Sequence, residues 1–183
     1  VVPNYSATNQ IYNPDGSFNS VIREDTVYAA SEFPPYPILI SEIRLRPDIN
    51  AGGPLTATLP NTSFSLSTTQ AKPDQLDSTF SQNIGTNSMI VFSGALEIST
   101  SFNTRSNGTK AFDIRIPFQT PFLYDPSQGN LLLDFHNFSG CMPVVGNFIN
   151  IAGITDGTSR LYTSDPNGPA GSGHTAGYVL QLG

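Results

Sequence analysis

The chain has no tryptophan, one cysteine, two histidines and two lysines in 183 residues. Each absence removes a class of explanation. With a single cysteine, Cys141, no intrachain disulfide framework holds the fold. The thiol is expected to be buried and inert, with an interchain disulfide as the sharper alternative. Eight scattered basic residues against fourteen acidic ones give a formal net charge of −6. No Lys/Arg cluster is present to neutralise phosphates, which argues against nucleic acid as a partner and against docking on anionic lipid. No apolar run approaches the ~20 residues of a membrane span, so membrane insertion is not expected. There is also no G-x-S-x-G elbow, H-E-x-x-H, P-loop or dinucleotide fingerprint. Few motifs for chemistry remain.

What is present favours strands and turns. Charged residues make up only 12% of the chain, and polarity comes instead from 20 Ser, 17 Thr and 15 Asn. These side chains suit turns and strand faces better than helix interiors. Sixteen Gly and fifteen Pro punctuate the sequence. In Phe112–Phe135, Phe112, Ile114, Ile116 and Phe118 alternate with Asp113, Arg115, Pro117 and Gln119, the period of a half-buried strand. A turn cluster, residues 125–130, leads into a second apolar run from Leu131 to Phe135. Pro117 cannot donate to a ladder, so its strand is an edge or carries a bulge. Further strands are expected at Leu39–Arg46 (Leu39, Ile43 and Leu45 inward, Glu42, Arg44 and Arg46 outward), around Phe64 and Leu66, and around Leu96 and Ile98. Tyr178, Leu180 and Leu182 mark another. Met89–Phe92 reads as a short strand buried on both faces. Weaker strands are expected near Val21–Tyr28, Phe148–Ile151 and Arg160–Thr163.

Leu76, Phe80 and Ile84 recur every four residues after Asp74, which predicts one short helix over Asp74–Gln82 with an Asp N-cap and a stop at Gly85. Eight or nine short strands with turns between them predict an all-β fold: a single β-sandwich of jelly-roll type over residues 1–183 with at most one short helix. The expected core comprises Ile43, Leu45, Phe64, Leu66, Ile114, Ile116, Leu131 and Leu133. Residues 1–13 lack periodicity and are expected to form an extended arm.

The series TLPNTSFSLSTT, PDQLDSTFSQNIG, VFSG, FDIRIPFQTPFLYDPSQGNLLLDF and NFSG resembles a group of uncharacterised secreted bacterial proteins, many of which end in a PEP-CTERM sorting tail. The likeness covers residues 20–183 and is most specific at TPFLYDPSQGNLLLD. It implies export and a link to cell-surface or exopolysaccharide material, and it supplies no catalytic residues. The opening Val1-Val2-Pro3 suits a processed mature chain. The sequence stops at Gly183 without a Pro-Glu-Pro motif, so such a tail is expected to have been removed or never to have been present.

Several constellations carry alternative readings. Asp134 and His136 lie two apart on one strand face and could act as a base pair or as metal ligands, although a solvated polar face is the plainer reading. His174 lies in the glycine-rich stretch Gly171–Thr175 and is expected to be a loop residue. Calcium would suit the oxygen ligands around Asp48 and Asp156. A paired-carboxylate hydrolase acting on polysaccharide is a third reading. Glycan binding would use exposed aromatics, of which Tyr36 and Tyr124 are candidates. Sequons occur at Asn4, Asn61, Asn107 and Asn137. The favoured expectation is a non-catalytic secreted subunit of matrix or filament. It would self-associate through an arm built from Val1, Val2, Pro3, Tyr5, Ile11 and Tyr12, with extracellular polysaccharide as a possible partner. The alternative for the arm is that it folds back on its own sandwich.

Overall fold

The alternating segment Ile114–Tyr124 and the apolar run Asn130–Asn137 that follows it belong to different sheets. The computed structural model describes residues 1–10, 14–15, 18–146, 149–151 and 157–183. Its strands are β1 (Pro14–Asp15), β2 (Ile22–Tyr28), β3 (Ile38–Leu45), β4 (Leu55–Thr69), β5 (Met89–Thr100), β6 (Ile114–Tyr124), β7 (Asn130–Asn137), β8 (Ile149–Asn150), β9 (Thr158–Thr163), β10 (Ser172–His174) and β11 (Leu180–Leu182). A six-stranded sheet runs β10-β9-β2-β7-β4-β5, a three-stranded sheet runs β11-β3-β6, and β1 pairs with β8. All pairings are antiparallel. The expected all-β sandwich is there. A jelly-roll winding does not follow from these strand orders.

The turn between β6 and β7 carries the chain from one sheet to the other. The Asp125 carboxylate accepts from the Ser127 N–H at 3.0 Å, and the Tyr124 hydroxyl donates to the Gly129 carbonyl at 2.9 Å. All eight expected core residues are at most 1% exposed. Phe135 stacks between Phe18 and Phe64, with ring centroids 4.8 and 4.6 Å away. Burying side chains of this kind contributes roughly 1.5–3 kcal/mol each. Pro117 lies on β6, an edge of its sheet, where its missing N–H costs no ladder bond.

Three expectations are corrected. A bulge between Ile40 and Glu42 shifts the phase of β3. Leu39 is therefore 63% exposed and Ile40 is buried; beyond the bulge Glu42 and Arg46 are buried for another reason, Glu42 beneath Arg44 and Arg115 and Arg46 beneath residues 6–9. Met89–Phe92 is the start of an edge strand, and Ile90 is 59% exposed rather than buried. The helix α1 covers only Phe80–Asn83. Asp74 sits at φ 62°, outside helical geometry. The local turn is built instead on Asp77, whose carboxylate accepts from the Thr79 N–H at 2.7 Å.

The β4–β5 connection, residues 70–88, lies over the outer face of the six-stranded sheet beside the β9–β10 connection, residues 164–171. The two are joined by Phe80 N–H to Pro169 O (3.0 Å) and Gly171 N–H to Ser78 O (2.9 Å). Together they form a cover. A β-carbon at Gly171 would lie 2.6 Å from the Tyr162 carbonyl oxygen and 2.9 Å from the Phe80 ring, so only glycine fits that approach.

Candidate functional site

Strand register assembles a polar layer under this cover. In β2, β7 and β4, Arg23, His136 and Ser63 form one row and Asp25, Asp134 and Ser65 the next. Alternation sends these side chains away from the core, because their neighbours Leu133, Phe135, Phe64 and Leu66 point into it. Arg23 donates twice to Asp134, Nε to Oδ1 at 3.3 Å and Nη2 to Oδ2 at 3.2 Å. His136 Nε2 lies 3.0 Å from Asp134 Oδ1, and its Nδ1 lies 2.7 Å from the Pro166 carbonyl oxygen. Arg23 Nη1 also donates to the Gly168 carbonyl at 3.3 Å, and its guanidinium lies 4.3 Å from the centre of the Phe80 ring.

Asp25, directly opposite Asp134, is fully buried. Neither of its carboxyl oxygens finds a hydrogen-bond donor among the described residues, and its protonated form bonds to the facing Asp134. Burial, and then the charge of Asp134, raise its carboxyl well above the usual carboxylate range. Burial also pushes Asp134 upward, but His136 and Arg23 outweigh it and the net shift is downward. Two facing acids thus differ sharply in proton affinity.

The pairing of Asp134 with His136 on one strand face was legible, and the structure brings them together with a second acid, Asp25. It does not leave that face solvated. Nor does the row make Ser63, His136 and Asp134 a nucleophilic triad. The imidazole offers Nε2 to Asp134 and Nδ1 to Pro166, so neither nitrogen is turned to Ser63 as a base. Both Asp134 oxygens and both His136 nitrogens already have protein partners. Among the described residues no group of three or more His, Cys, Asp and Glu is arranged to hold a metal. An open groove of about 640 Å³ between residues 20–22 and 162–164 is lined by none of these four side chains.

The other candidates are dispersed. Asp48 is buried, not a loop ligand: it accepts from the Asn50 N–H at 3.0 Å and from Asn150 Nδ2 at 3.2 Å. Asp156 lies outside the described residues, as do Ile11 and Tyr12. Tyr36 is 61% exposed. Tyr124 is fully buried in β6 with its hydroxyl on Gly129, which corrects its assignment as a glycan contact; burial raises its phenol. His174 is an exposed residue of the edge strand β10 rather than of a loop. Asn4, Asn61 and Asn107 are exposed, whereas Asn137 is buried with its amide on the Phe18 carbonyl and is closed to modification in the fold. Cys141 is a buried free thiol.

Residues 1–10 lie on their own sandwich. Val2, Pro3 and Ser6 are buried, and Tyr5 is 66% exposed. Val1 packs beside Phe112 and Val179, and burial lowers its amino group. Arg46, 1% exposed, reaches the segment through Nη1 to the Ser6 carbonyl (2.8 Å) and Nη2 to the Asn9 carbonyl (2.9 Å). Burial and the charge of Arg105 lower its guanidinium to about 10.

Sequence reasoning missed Arg23, Asp25, Glu24 and Arg46. Glu24 is buried on the inner face, where Arg160 and Tyr178 reach it at 3.3 and 3.1 Å. One signal was available: Arg23-Glu24-Asp25 places charge on both faces of a strand flanked by Ile22 and Val27, which requires partners on both sides. Among the described residues no helix is long and apolar enough to cross a membrane. No protein-family model matches the chain, and no curated protein or solved structure matches it either.

Proposed function

We propose that the protein is a non-catalytic structural module of secreted, cell-surface material that self-associates by exchanging its N-terminal segment. The observation that carries this reading is the bridge between Val2 and Leu180. The Val2 N–H donates to the Leu180 carbonyl at 2.8 Å, and the Leu180 N–H donates to the Val2 carbonyl at 2.9 Å. That bridge adds a minimal strand to β11, an edge of the three-stranded sheet. Backbone pairing at an edge is equally satisfied by the same segment of a second copy. Arg46 supplies the specificity, since it grips two carbonyls of whichever segment lies there. Export rests on the resemblance to secreted bacterial proteins and on a surface poor in lysine. The test is light scattering across a concentration series, with full-length protein and a chain lacking residues 1–10. Full-length oligomers that grow with concentration, a truncated chain that stays monomeric, and inhibition of assembly by a peptide of residues 1–10 are the expected results. A full-length protein that remains monomeric at high concentration, or a truncated one that still assembles, overturns the proposal.

Glycan binding is the second reading. It is favoured by two exposed tyrosines, Tyr5 and Tyr36, flanking the contact in which Asn4 Nδ2 donates to the Glu32 carbonyl at 3.0 Å. Retention on polysaccharide gels that is lost in Tyr36→Ala supports it. Equal retention of the variant removes it.

A further inference from the structure

The cover and the acid pair beneath it are one mechanical unit. Two of the bonds that hold residues 164–171 to the sheet come from His136 (to Pro166 O) and Arg23 (to Gly168 O), and both of these side chains are themselves held by Asp134. Phe80, fully buried in α1, rests on the same Arg23. Beneath lie Val27, Leu132 and Leu161, each at most 1% exposed yet outside the main apolar core.

One proton is central to this arrangement. His136 ties the cover to the acid pair, with Nε2 3.0 Å from Asp134 Oδ1 and Nδ1 2.7 Å from the Pro166 carbonyl oxygen. Asp25 faces Asp134 across the ladder with no donor of its own, so its ionised form would set two buried carboxylates against each other. Loss of the Asp25 proton leaves an acceptor opposed to an acceptor. The charge of Arg23 favours the ionised form of Asp25, but burial and Asp134 outweigh it. Glu24 points to the inner face toward Arg160 and Tyr178. The facing residues of β4 are Ser63 and Ser65, and those of β9 are Ser159, Leu161 and Thr163, none of which titrates near neutrality. On the cover, Lys72, Asp74, Asp77 and Asp165 are exposed.

We propose that the cover is a proton-operated latch, closed while the facing Asp25–Asp134 pair holds its proton and released as that proton is lost, uncovering the strip of Val27, Leu132 and Leu161. The direction follows from linkage. The closed form holds the Asp25 proton more tightly than an open, solvated one, so it binds more protons and its advantage falls as pH rises. The released strip is apolar and flanked by charge, the composition of a conditional contact surface.

Amide hydrogen exchange tests the latch. The Phe80 and Gly171 amides bond across the two halves of the cover, so their protection reports its closure. After correction for intrinsic base catalysis, their protection is expected to fall by roughly tenfold or more from mildly acidic to mildly alkaline pH, while the β7 ladder holds. Asp25→Asn, which cannot ionise, is expected to keep the cover protected at alkaline pH. Protection that does not change with pH, or an equal fall in Asp25→Asn, overturns the proposal. Should that variant not fold, carbon-13 titration of the carboxyls in the unaltered protein decides. An Asp25 carboxyl retaining its proton well above the carboxylate range, and losing it as Phe80 and Gly171 lose protection, supports the latch; one already ionised in mild acid overturns it.

Discussion

On the inner face of the six-stranded sheet, Phe64, Leu66, Leu131, Leu133 and Phe135 meet the second sheet with at most 1% exposure. On the outer face the same region presents Arg23, Asp25, Asp134, His136, Ser63 and Ser65 beneath two loops. Both faces are covered, but by different means. The inner one is held chiefly by apolar contact, with the buried Glu24–Arg160 pair toward one side. The outer one is held by directed bonds to two carbonyls of the cover, above a facing pair of carboxyls whose charge depends on pH. One sheet therefore carries a permanent joint on one side and a conditional joint on the other.

The sharpest way to break this contrast is to cut into each face in turn. Phe135→Ala, which removes the middle ring of the Phe18–Phe135–Phe64 stack, is expected to cost about 3–5 kcal/mol in a urea titration. A loss under about 1 kcal/mol would show that the inner face is not the permanent joint. Asp134→Ala removes the hub of the outer layer and strands Arg23 and His136, with an expected cost of about 3 kcal/mol. Phe80→Ala is expected to cost about 2 kcal/mol and to expose the cover to protease before the core unfolds. If both probes lose signal together, the two faces are one cooperative unit.

The pH dependence sharpens the same comparison. Asp25, raised in the fold, contributes stability that declines as pH rises through its folded value. Asp134, lowered in the fold, contributes stability that is lost as pH falls through its own folded value. The urea midpoint is thus expected to peak between the two, with Asp25→Asn flattening the alkaline limb and leaving the acid limb in place. The smallest effect is expected at Leu39, exposed on the far side of the other sheet. Leu39→Thr should change stability by no more than about 0.5 kcal/mol.

The inner face was legible in the sequence because alternation reports it directly. Phe64 and Leu66 among serines, Ile114 and Ile116 among charges, and the Leu131–Phe135 run all lie where their period of two places them. The phase of β3 was not, because a single-residue bulge at Ser41 leaves no mark on composition and inverts everything before it. The Leu76, Phe80 and Ile84 spacing suggested a helix, yet only Phe80 is fully buried, and it serves the cover. The outer layer was half legible. Asp134 and His136 share a strand, so their proximity follows from spacing, whereas Asp25 and Arg23 arrive from a strand about a hundred residues away through ladder register alone. No local pattern encodes that pairing. Arg46 was read as a solvent-facing residue because charged residues are rarely fully buried, and its carbonyl partners in residues 6 and 9 carry no side-chain signature.

Gln119, on β6, spans the gap to β5 with both ends of its amide. Its Oε1 accepts from the Ser93 N–H at 3.1 Å, and its Nε2 donates to the Ser93 carbonyl at 2.9 Å. A side chain thereby stands in for a neighbouring strand and zips one flank of the sandwich shut. That leaves β10 and β11 as the outer rims of the two sheets, both on the opposite flank, with Val2 lying along the second. Among the described residues the two sheets are thus tied edge to edge on the β5–β6 flank and present their remaining edges on the other, which gives the sandwich two unlike flanks.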